Sequence, residues 1–207
     1  RAFQILVKIG NMQIMEIVAD TTNKIAEGEV LQLIAKNNPN SSEANYMQVI
    51  ENKTAILFQA AAQCGALLAN ADKEVEEGLR EFGMRIGTAF QLIDDVLDYA
   101  GDTTDLGKNI GDDLAEGKPT LPLIYALENS DTQQQELIQQ ALKTEELDSE
   151  MLKDVIEIVQ RSGGIEYTQD LAKAQSESAL KCLQALPDSK YRQAMEAMVS
   201  FSVNRRS

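Results

Sequence analysis

The residues best suited to chemistry lie in the segment 90–99, where Gln91, Asp94, Asp95 and Asp98 interrupt an apolar run. Because an α-helix repeats about every 3.6 residues, these four side chains fall on one narrow polar stripe of a predicted helix. The apolar remainder of the segment predicts that this helix is buried. Burial and mutual repulsion both raise the pKa of clustered carboxyl groups, so either protonation or a bound divalent cation is expected to relieve the unfavourable charge.

The donor atoms on this stripe indicate which ion would bind. Asp94, Asp95 and Asp98 offer only oxygen, with no nitrogen or sulfur donor nearby, and such a set suits a hard ion such as Mg²⁺. The simpler interpretation is an acidic helix start or a solvated acidic face. The apolar neighbours and the lysine-bearing loop that follows argue against it, so the three aspartates are the predicted metal ligands.

The segment 100–119 contains four glycines and five acidic residues, and this glycine density predicts a loop without helix. Loops of this length in compact domains are usually functional or disordered. Two Gly-Lys pairs end in Lys108 and Lys118. Lysine is a point-charge ligand for phosphate, and glycine lets backbone N–H groups approach an anion. Neither pair belongs to a Walker loop, because the required Gly-x-x-x-x-Gly-Lys-Ser/Thr pattern is absent.

The rest of the chain predicts helices and no sheet. With 207 residues, 43% hydrophobic content and four prolines, the composition favours one all-α domain, since no stretch alternates convincingly with a period of two. The first predicted helix covers residues 3–36, with a possible break near Gly28. The second runs from Ser41, as N-cap, to about Asn70, and the third from Asp72 to the aspartates at 94–98. Further helices are predicted after Thr120 and over residues 151–162, 165–186 and 188–203. Residues 128–150 predict solvated helix and turn. Small residues at 60–62, Gly83 and Gly87 indicate either close helix packing or space for a ligand.

The overall charge and the residues that are missing exclude several functions. A net charge of −14 predicts no binding to nucleic acid and no attraction to anionic membranes. The chain has no His, which excludes His-based triads and His-ligated zinc within it.

No apolar run is long enough to predict a membrane span, and no signal peptide is found. Cys64 and Cys182 are interpreted as small core residues in a reducing compartment, the cytoplasm, and the pair Arg205-Arg206 as solvated.

Several segments together resemble a known family. The segment 90–98 (FQLIDDVLD) resembles the second aspartate-rich motif of trans-isoprenyl diphosphate synthases. The pair Lys53-Thr54 resembles that family's Lys-Thr pair, and the segments 107–113 and 116–122 resemble the region after the motif in long-chain polyprenyl synthases. This order and spacing is more specific than any single motif. Similarity to bacterial octaprenyl diphosphate synthases extends to residues 28–33, residues 60–64 and the C-terminal half.

The resemblance implies a helical bundle of the isoprenoid-synthase type around a central cavity, and a homodimeric enzyme. Its substrates would be an allylic diphosphate, such as farnesyl diphosphate, and isopentenyl diphosphate. The product would be a long-chain, octaprenyl-like polyprenyl diphosphate of the kind used for quinone side chains. The resemblance assigns Asp94, Asp95 and Asp98 to Mg²⁺, Lys53, Gln91 and Lys118 to catalysis, and Lys53, Thr54, Gln91, Lys108 and Lys118 to the allylic diphosphate.

The chain departs from the family pattern at its start. The family's first Asp-Asp-x-x-Asp motif, and the Lys, Arg and His residues that hold isopentenyl diphosphate, do not appear. The resemblance therefore implies that the chain corresponds to the C-terminal two-thirds of a synthase, without its N-terminal helices. It also implies that these 207 residues alone are inactive. Other classes stay open: a non-catalytic dimer partner, a helical scaffold, or a class I terpene cyclase, whose second metal motif is not found. The complete set of Asp94, Asp98 and Lys118 argues against a silent partner.

Overall fold

The computed structural model describes residues 1–100, 110–144 and 147–205, and every regular element in those ranges is helical. The prediction of an all-α protein is therefore confirmed for these ranges. In chain order the helices are α1 (Ala2–Ile9), α2 (Met12–Ala35), α3 (Glu43–Ile50), α4 (Ile56–Leu68), α5 (Lys73–Ala100), α6 (Asp112–Ala115), α7 (Leu121–Asn129), α8 (Thr132–Lys143), α9 (Ser149–Ser162), α10 (Gly164–Cys182) and α11 (Lys190–Val203). A π-helical turn (Glu51–Ala55) joins α3 to α4, and a 3₁₀ turn (Leu183–Ala185) follows α10.

The first break in the helical pattern lies at Gly10, and the predicted break near Gly28 is wrong. Gly10 adopts a left-handed φ of 66° and ends α1, and the side chain of Asn11 then accepts a hydrogen bond from Ile14 N and caps α2. Gly28 instead lies buried inside α2. A Cβ there would stand 2.7 Å from Lys53 N, so glycine is needed for close packing and does not break the helix.

The segment 43–68, here called the α3–α4 rod, is a single helical run with a π turn in its middle. The predicted N-cap Ser41 is wrong by one residue, because Ser42 Oγ accepts the hydrogen bond from Asn45 N. The prediction of one uninterrupted helix missed the π turn Glu51–Ala55. Turns of this kind occur frequently at functional sites.

Helix α5 is the longest element and packs mainly against α4 and α10. It begins after Asp72, at the predicted start, and the Asp72 side chain accepts a hydrogen bond from Val75 N. Glycines allow α5 to pack closely against the α3–α4 rod. A Cβ on Gly83 would clash with the Phe58 carbonyl, and one on Gly87 would lie 2.7 Å from Ala55 Cα. At these two positions the small residues serve packing.

The second half of the chain covers the other side of α5. Helix α6 lies inside the segment predicted to hold no helix, which corrects that prediction. Helix α8 is also less solvated than predicted, because Ile138 is fully buried in the hydrophobic cluster that also contains Val96 and Tyr99 of α5. The end of α9 at Gly163 (φ 87°) and the start of α7 after Thr120 agree with the sequence.

Two smaller expectations concern the cysteines and the membrane. Cys64 and Cys182 are free thiols and both are partly exposed, so the prediction of core cysteines is wrong. Among the described helices, none combines the length and the apolar character that crossing a bilayer requires.

Candidate active site

One cleft collects most of the predicted site residues. It lies between α2, the α3–α4 rod, the middle of α5 and the segment before α7, and its empty volume is about 770 Å³, part of which is open to solvent. Of the predicted residues, Lys53, Thr54, Gln91, Asp94, Asp95 and Lys118 line it. Asp98 lies one turn farther along α5, outside this lining. Segments far apart in sequence therefore present cationic and anionic groups to the same space.

Asp95 is the most buried member of the acidic stripe. Tyr46, on α3, donates a 2.5 Å hydrogen bond to its Oδ2, and Gln91 Nε2 donates a 2.8 Å bond to its Oδ1. Burial raises the pKa of Asp95 to about 7, although both hydrogen bonds act in the opposite direction. Burial and the charge of Asp95 raise the pKa of Tyr46 as well, so its hydroxyl remains a donor. Asp95 is thus bound by protein groups on both oxygens.

Asp94 and Asp98 are placed differently from Asp95. The Asp94 side chain is 42% exposed and faces the cleft, where an incoming cation could reach it. Asp98 accepts a hydrogen bond from Asp113 N, and burial followed by the charge of Asp113 raises its pKa to about 7. The stripe predicted from helical spacing therefore exists, but its three carboxylates have three different environments.

The π turn presents Lys53 and Thr54 to the cleft. Lys53 Nζ donates to Gln32 Oε1 at 2.6 Å and pairs with Glu29 at 3.1 Å, so side chains of α2 fix its direction. Thr54 Oγ1 donates to Gln91 Oε1 at 3.0 Å. Because Gln91 also donates to Asp95, the hydroxyl, the amide and the carboxylate form one continuous chain of hydrogen bonds.

Lys118 closes the far side of the cleft. Its ammonium lies 2.8 Å from both Asp113 and Glu116. Desolvation opposes its charge, but these two hydrogen bonds and charges outweigh it and raise the Lys118 pKa above its ordinary value. The group is therefore a fixed cation beside the acidic stripe. The predicted phosphate ligand Lys108 lies outside the described residues.

The carboxylate oxygens of Asp94 in the cleft are of the type that hard divalent cations prefer. Raised pKa values at Asp95 and Asp98 mark carboxylates whose negative charge lacks full compensation. Among the residues that the structure describes, no three acidic, His or Cys side chains stand close enough to hold a metal ion by themselves. A cation at Asp94 would therefore complete its shell with water or with the oxygens of a ligand, the coordination that Mg²⁺ commonly adopts with phosphates.

Arg205 lies beside the cleft lining, and the sequence interpretation placed it wrongly in solvent. Its side chain is only 12% exposed and lies 3.8 Å from Asp94 Oδ1. The guanidinium also donates to Phe90 O at 3.0 Å and stacks over the Phe90 ring, 3.9 Å from its centroid. Tyr46 and Gln32 were missed too. No local motif marks Tyr46 or Arg205, because each reaches the site only through the packing of helices distant in sequence. Gln32, in contrast, lies in the segment 28–33, which carries part of the family resemblance.

Comparisons with known proteins agree with this geometry. The family model described as Polyprenyl synthetase matches residues 1–159. The octaprenyl diphosphate synthase of Escherichia coli K12 is 44% identical over 99% of this chain, and an all-trans-nonaprenyl-diphosphate synthase of Rhodobacter capsulatus is 45% identical over the same share. The chain spans 63% and 62% of the lengths of these two relatives.

A solved structure gives the corresponding result for the fold. The polyprenyl synthase of Caulobacter crescentus, described as complexed with calcium and isoprenyl diphosphate, superposes with a TM-score of 0.94 at 41% identity. The match covers 100% of this chain and 63% of the other. This likeness confirms the predicted isoprenoid-synthase type of helical bundle. The family model, the identities and the superposition together show that the chain belongs to the polyprenyl synthetase family.

Proposed function

We propose that this chain carries the metal-facing half of the active site of a trans-prenyltransferase. The reaction joins an allylic diphosphate to isopentenyl diphosphate: the allylic C–O bond breaks, pyrophosphate leaves, a new C–C bond forms and a proton is lost. The observation that carries the proposal is the single cleft in which Lys53, Lys118 and Asp94 converge. Fixed cations and a carboxylate that can bind a metal ion are what the departure of a highly charged anion requires.

The chain's own residues would bind and orient the leaving diphosphate. Lys53 and Lys118 supply positive charge to the cleft from two segments distant in sequence, each held by hydrogen bonds that fix its position before the substrate arrives. Preorganised charge of this kind stabilises a developing anion without reorganisation during the reaction. Thr54 and Gln91, already hydrogen-bonded to each other, present polar groups beside the same space. No covalent protein nucleophile is required.

The proposed metal is Mg²⁺, held mainly by Asp94 with Asp98 behind it. When bound, it would neutralise the diphosphate and make it a better leaving group. A calcium ion in the Caulobacter relative supports a site for divalent metal in this family. Asp95 is the weakest candidate ligand of the three, since Tyr46 and Gln91 already bind both of its oxygens.

The product and the assembly are proposals that rest on the relatives and on exposed surface. The E. coli relative makes octaprenyl diphosphate by its name, and a product of that class, suited to a quinone side chain, is the one we propose. We also propose a homodimer that acts in the cytoplasm. Apolar side chains on and beside α1 support the dimer: Phe3 is 76% exposed, Val7 69% and Met12 73%. Such a surface is unusual for a monomer.

The test is a prenyl transfer assay on the full-length protein. Radiolabelled isopentenyl diphosphate, farnesyl diphosphate and Mg²⁺ should give lipid-soluble product, and chromatography should show its length. A non-catalytic partner or a helical scaffold would give no product even at high concentration. A class I terpene cyclase would convert farnesyl diphosphate to hydrocarbon without using the isopentenyl diphosphate. Either result would overturn the proposal.

A further inference from the structure

The guanidinium of Arg205, in the segment after α11, contacts α5. Arg205 lies two residues after the end of α11, which packs against α5, and it contacts the Phe90 ring, the Phe90 carbonyl and the Asp94 carboxylate. These three contacts use the flat face of the group and its N–H groups together. Only the planar fork of arginine offers this combination, because a lysine ammonium has no flat face and is a point donor.

The contacts at Phe90 lie one helical turn before Asp94 on α5. In an α-helix the carbonyl of residue 90 accepts the amide of residue 94, so Arg205 shares the acceptor that anchors the Asp94 backbone. The same guanidinium faces the Asp94 side chain at 3.8 Å. Arg205 thus acts on both the backbone and the carboxylate of the residue proposed to face the metal.

The contacts of Arg205 are concentrated on one turn of α5. Within the described part of the chain, its Nε atom is buried and has no hydrogen-bond partner. A buried donor without a partner is unfavourable for folding. The stacking on Phe90 and the nearby carboxylate are the contacts that hold the guanidinium in this place, and both belong to the turn of α5 that carries Asp94.

We infer that Arg205 is a positioning residue for Asp94. It holds the Asp94 carboxylate towards the cleft. Because its own positive charge repels an incoming cation, a loss of Mg²⁺ affinity on its removal would report lost positioning and not lost charge. This inference rests on the proposed function, because it assigns Arg205 to the ligand that would hold the metal. Groups that orient a metal ligand typically change metal affinity about 10-fold to 100-fold when they are removed.

The experiment measures metal affinity in the full-length protein, without catalysis. MgCl₂ is titrated calorimetrically into protein with a fixed concentration of inorganic pyrophosphate, for the wild type, Arg205→Gln and Arg205→Lys. We expect both Arg205→Gln and Arg205→Lys to weaken Mg²⁺ binding about 10-fold to 100-fold, because Arg205→Lys keeps the charge but loses the fork that contacts α5. The control is Arg161→Gln, since Arg161 is 78% exposed, pairs only with Glu157 along α9 in the described structure, and should leave the affinity unchanged.

A double-mutant cycle separates positioning from a structural contact. In an Asp94→Asn background, Arg205→Gln should cause no further loss of Mg²⁺ affinity, because the group through which it acts is gone. An equal loss in both backgrounds, or an affinity within twofold of the wild type, overturns the inference. Melting temperatures are recorded for every variant, and if Arg205→Gln does not fold, Arg205→Lys is judged by the same criteria. Failure of the wild type to bind Mg²⁺ with pyrophosphate would instead overturn the proposed function.

Discussion

The Tyr46 hydroxyl donates a 2.5 Å hydrogen bond to Asp95 Oδ2 in the buried contact between α3 and α5. Gln91 occupies the other carboxylate oxygen from its own helix. Asp95 therefore links two helices through a group whose charge is only partly compensated, and its pKa of about 7 is far above the ordinary 3.8. A raised folded-state pKa means that the neutral form stabilises the fold. That contribution is complete below about pH 4 and is lost as the pH rises through 7.

The first prediction concerns this loss. Without metal, the melting temperature of the wild type should fall between about pH 4 and about pH 7, and Asp95→Asn should reduce the fall because asparagine resembles the neutral acid. Part of the fall should remain, since the Asp98 pKa is raised to about 7 as well. Tyr46→Phe is the opposing control: it removes a hydrogen bond that lowers the Asp95 pKa, so the fall should extend to higher pH. Melting curves of Asp95→Asn as steep in pH as the wild type would contradict the assignment.

The second prediction concerns Asp94. Asp94→Ala in the full-length protein should lower turnover about 100-fold or more, because the exposed carboxylate that faces the cleft is lost. Steady-state assays at saturating Mg²⁺ measure this. Asp154→Ala, which removes an exposed carboxylate on α9, is the matched control and should behave as the wild type. Near-normal turnover of Asp94→Ala would exclude it as a metal ligand.

The third prediction separates substrate binding from folding at Lys118. Lys118→Ala should raise the KM for the allylic diphosphate several-fold, while the partly exposed ion pairs with Asp113 and Glu116 limit the loss of unfolding free energy to about 1 kcal/mol. Kinetics and thermal melting are compared with Lys153→Ala, whose side chain is exposed on α9. A large drop in melting temperature with an unchanged KM would show that Lys118 is structural.

The fourth prediction uses two glycines inside helices. Gly28→Ala should destabilise the protein by about 1–3 kcal/mol, because the new Cβ would lie 2.7 Å from Lys53 N and force α2 away from the π turn. Gly65→Ala in α4 meets no atom within 4 Å and should stabilise by about 0.5–1 kcal/mol through helix propensity. Chemical denaturation measures both. Equal effects of the two substitutions would contradict the proposed contact.

The fifth prediction concerns the 207 residues in isolation. They should not form lipid-soluble product from farnesyl diphosphate and isopentenyl diphosphate. Asp94 and its neighbours supply only part of a metal shell, and Mg²⁺ fills missing positions with water. Positioning of the second substrate, which supplies much of the rate in a two-substrate reaction, would also be lacking. A rate close to that of a complete synthase of this family would disprove this.

The helical periodicity of the sequence predicted the acidic stripe on α5 but not the residues of other helices that contact it. The stripe with Asp94 was visible because its spacing along one helix is local information. Tyr46 and Arg205 lie 49 and 111 residues away from the groups they contact, Asp95 and Asp94, and nothing local marks such pairs. Arg205 was interpreted as solvated because two basic residues near the end of a chain usually are.

The glycines show the same limit. Gly10 and Gly28 both lie in one helical pattern, and helix propensity predicts a similar penalty for each. The structure distinguishes them by what surrounds them: Gly10 has space and a left-handed φ, whereas Gly28 has the backbone of Lys53 against it. The contact that requires glycine at position 28 comes from a neighbouring helix and cannot be read from the sequence of α2, whereas the Asn11 cap after Gly10 is a local signal for the break.

The π turn corrects the rotation of the α3–α4 rod. Tyr46 and Thr54 both reach polar groups of α5, although eight residues of regular α-helix would leave their directions about 80° apart. A π turn, whose hydrogen bonds span five residues, winds less per residue and brings the two side chains back towards one line. The extra residue in the π turn therefore lets Tyr46, which binds Asp95, and Thr54, which binds Gln91, face the same side of the rod. Deleting a single residue within Glu51–Ala55 would leave both halves helical, yet it would turn one of them away from α5.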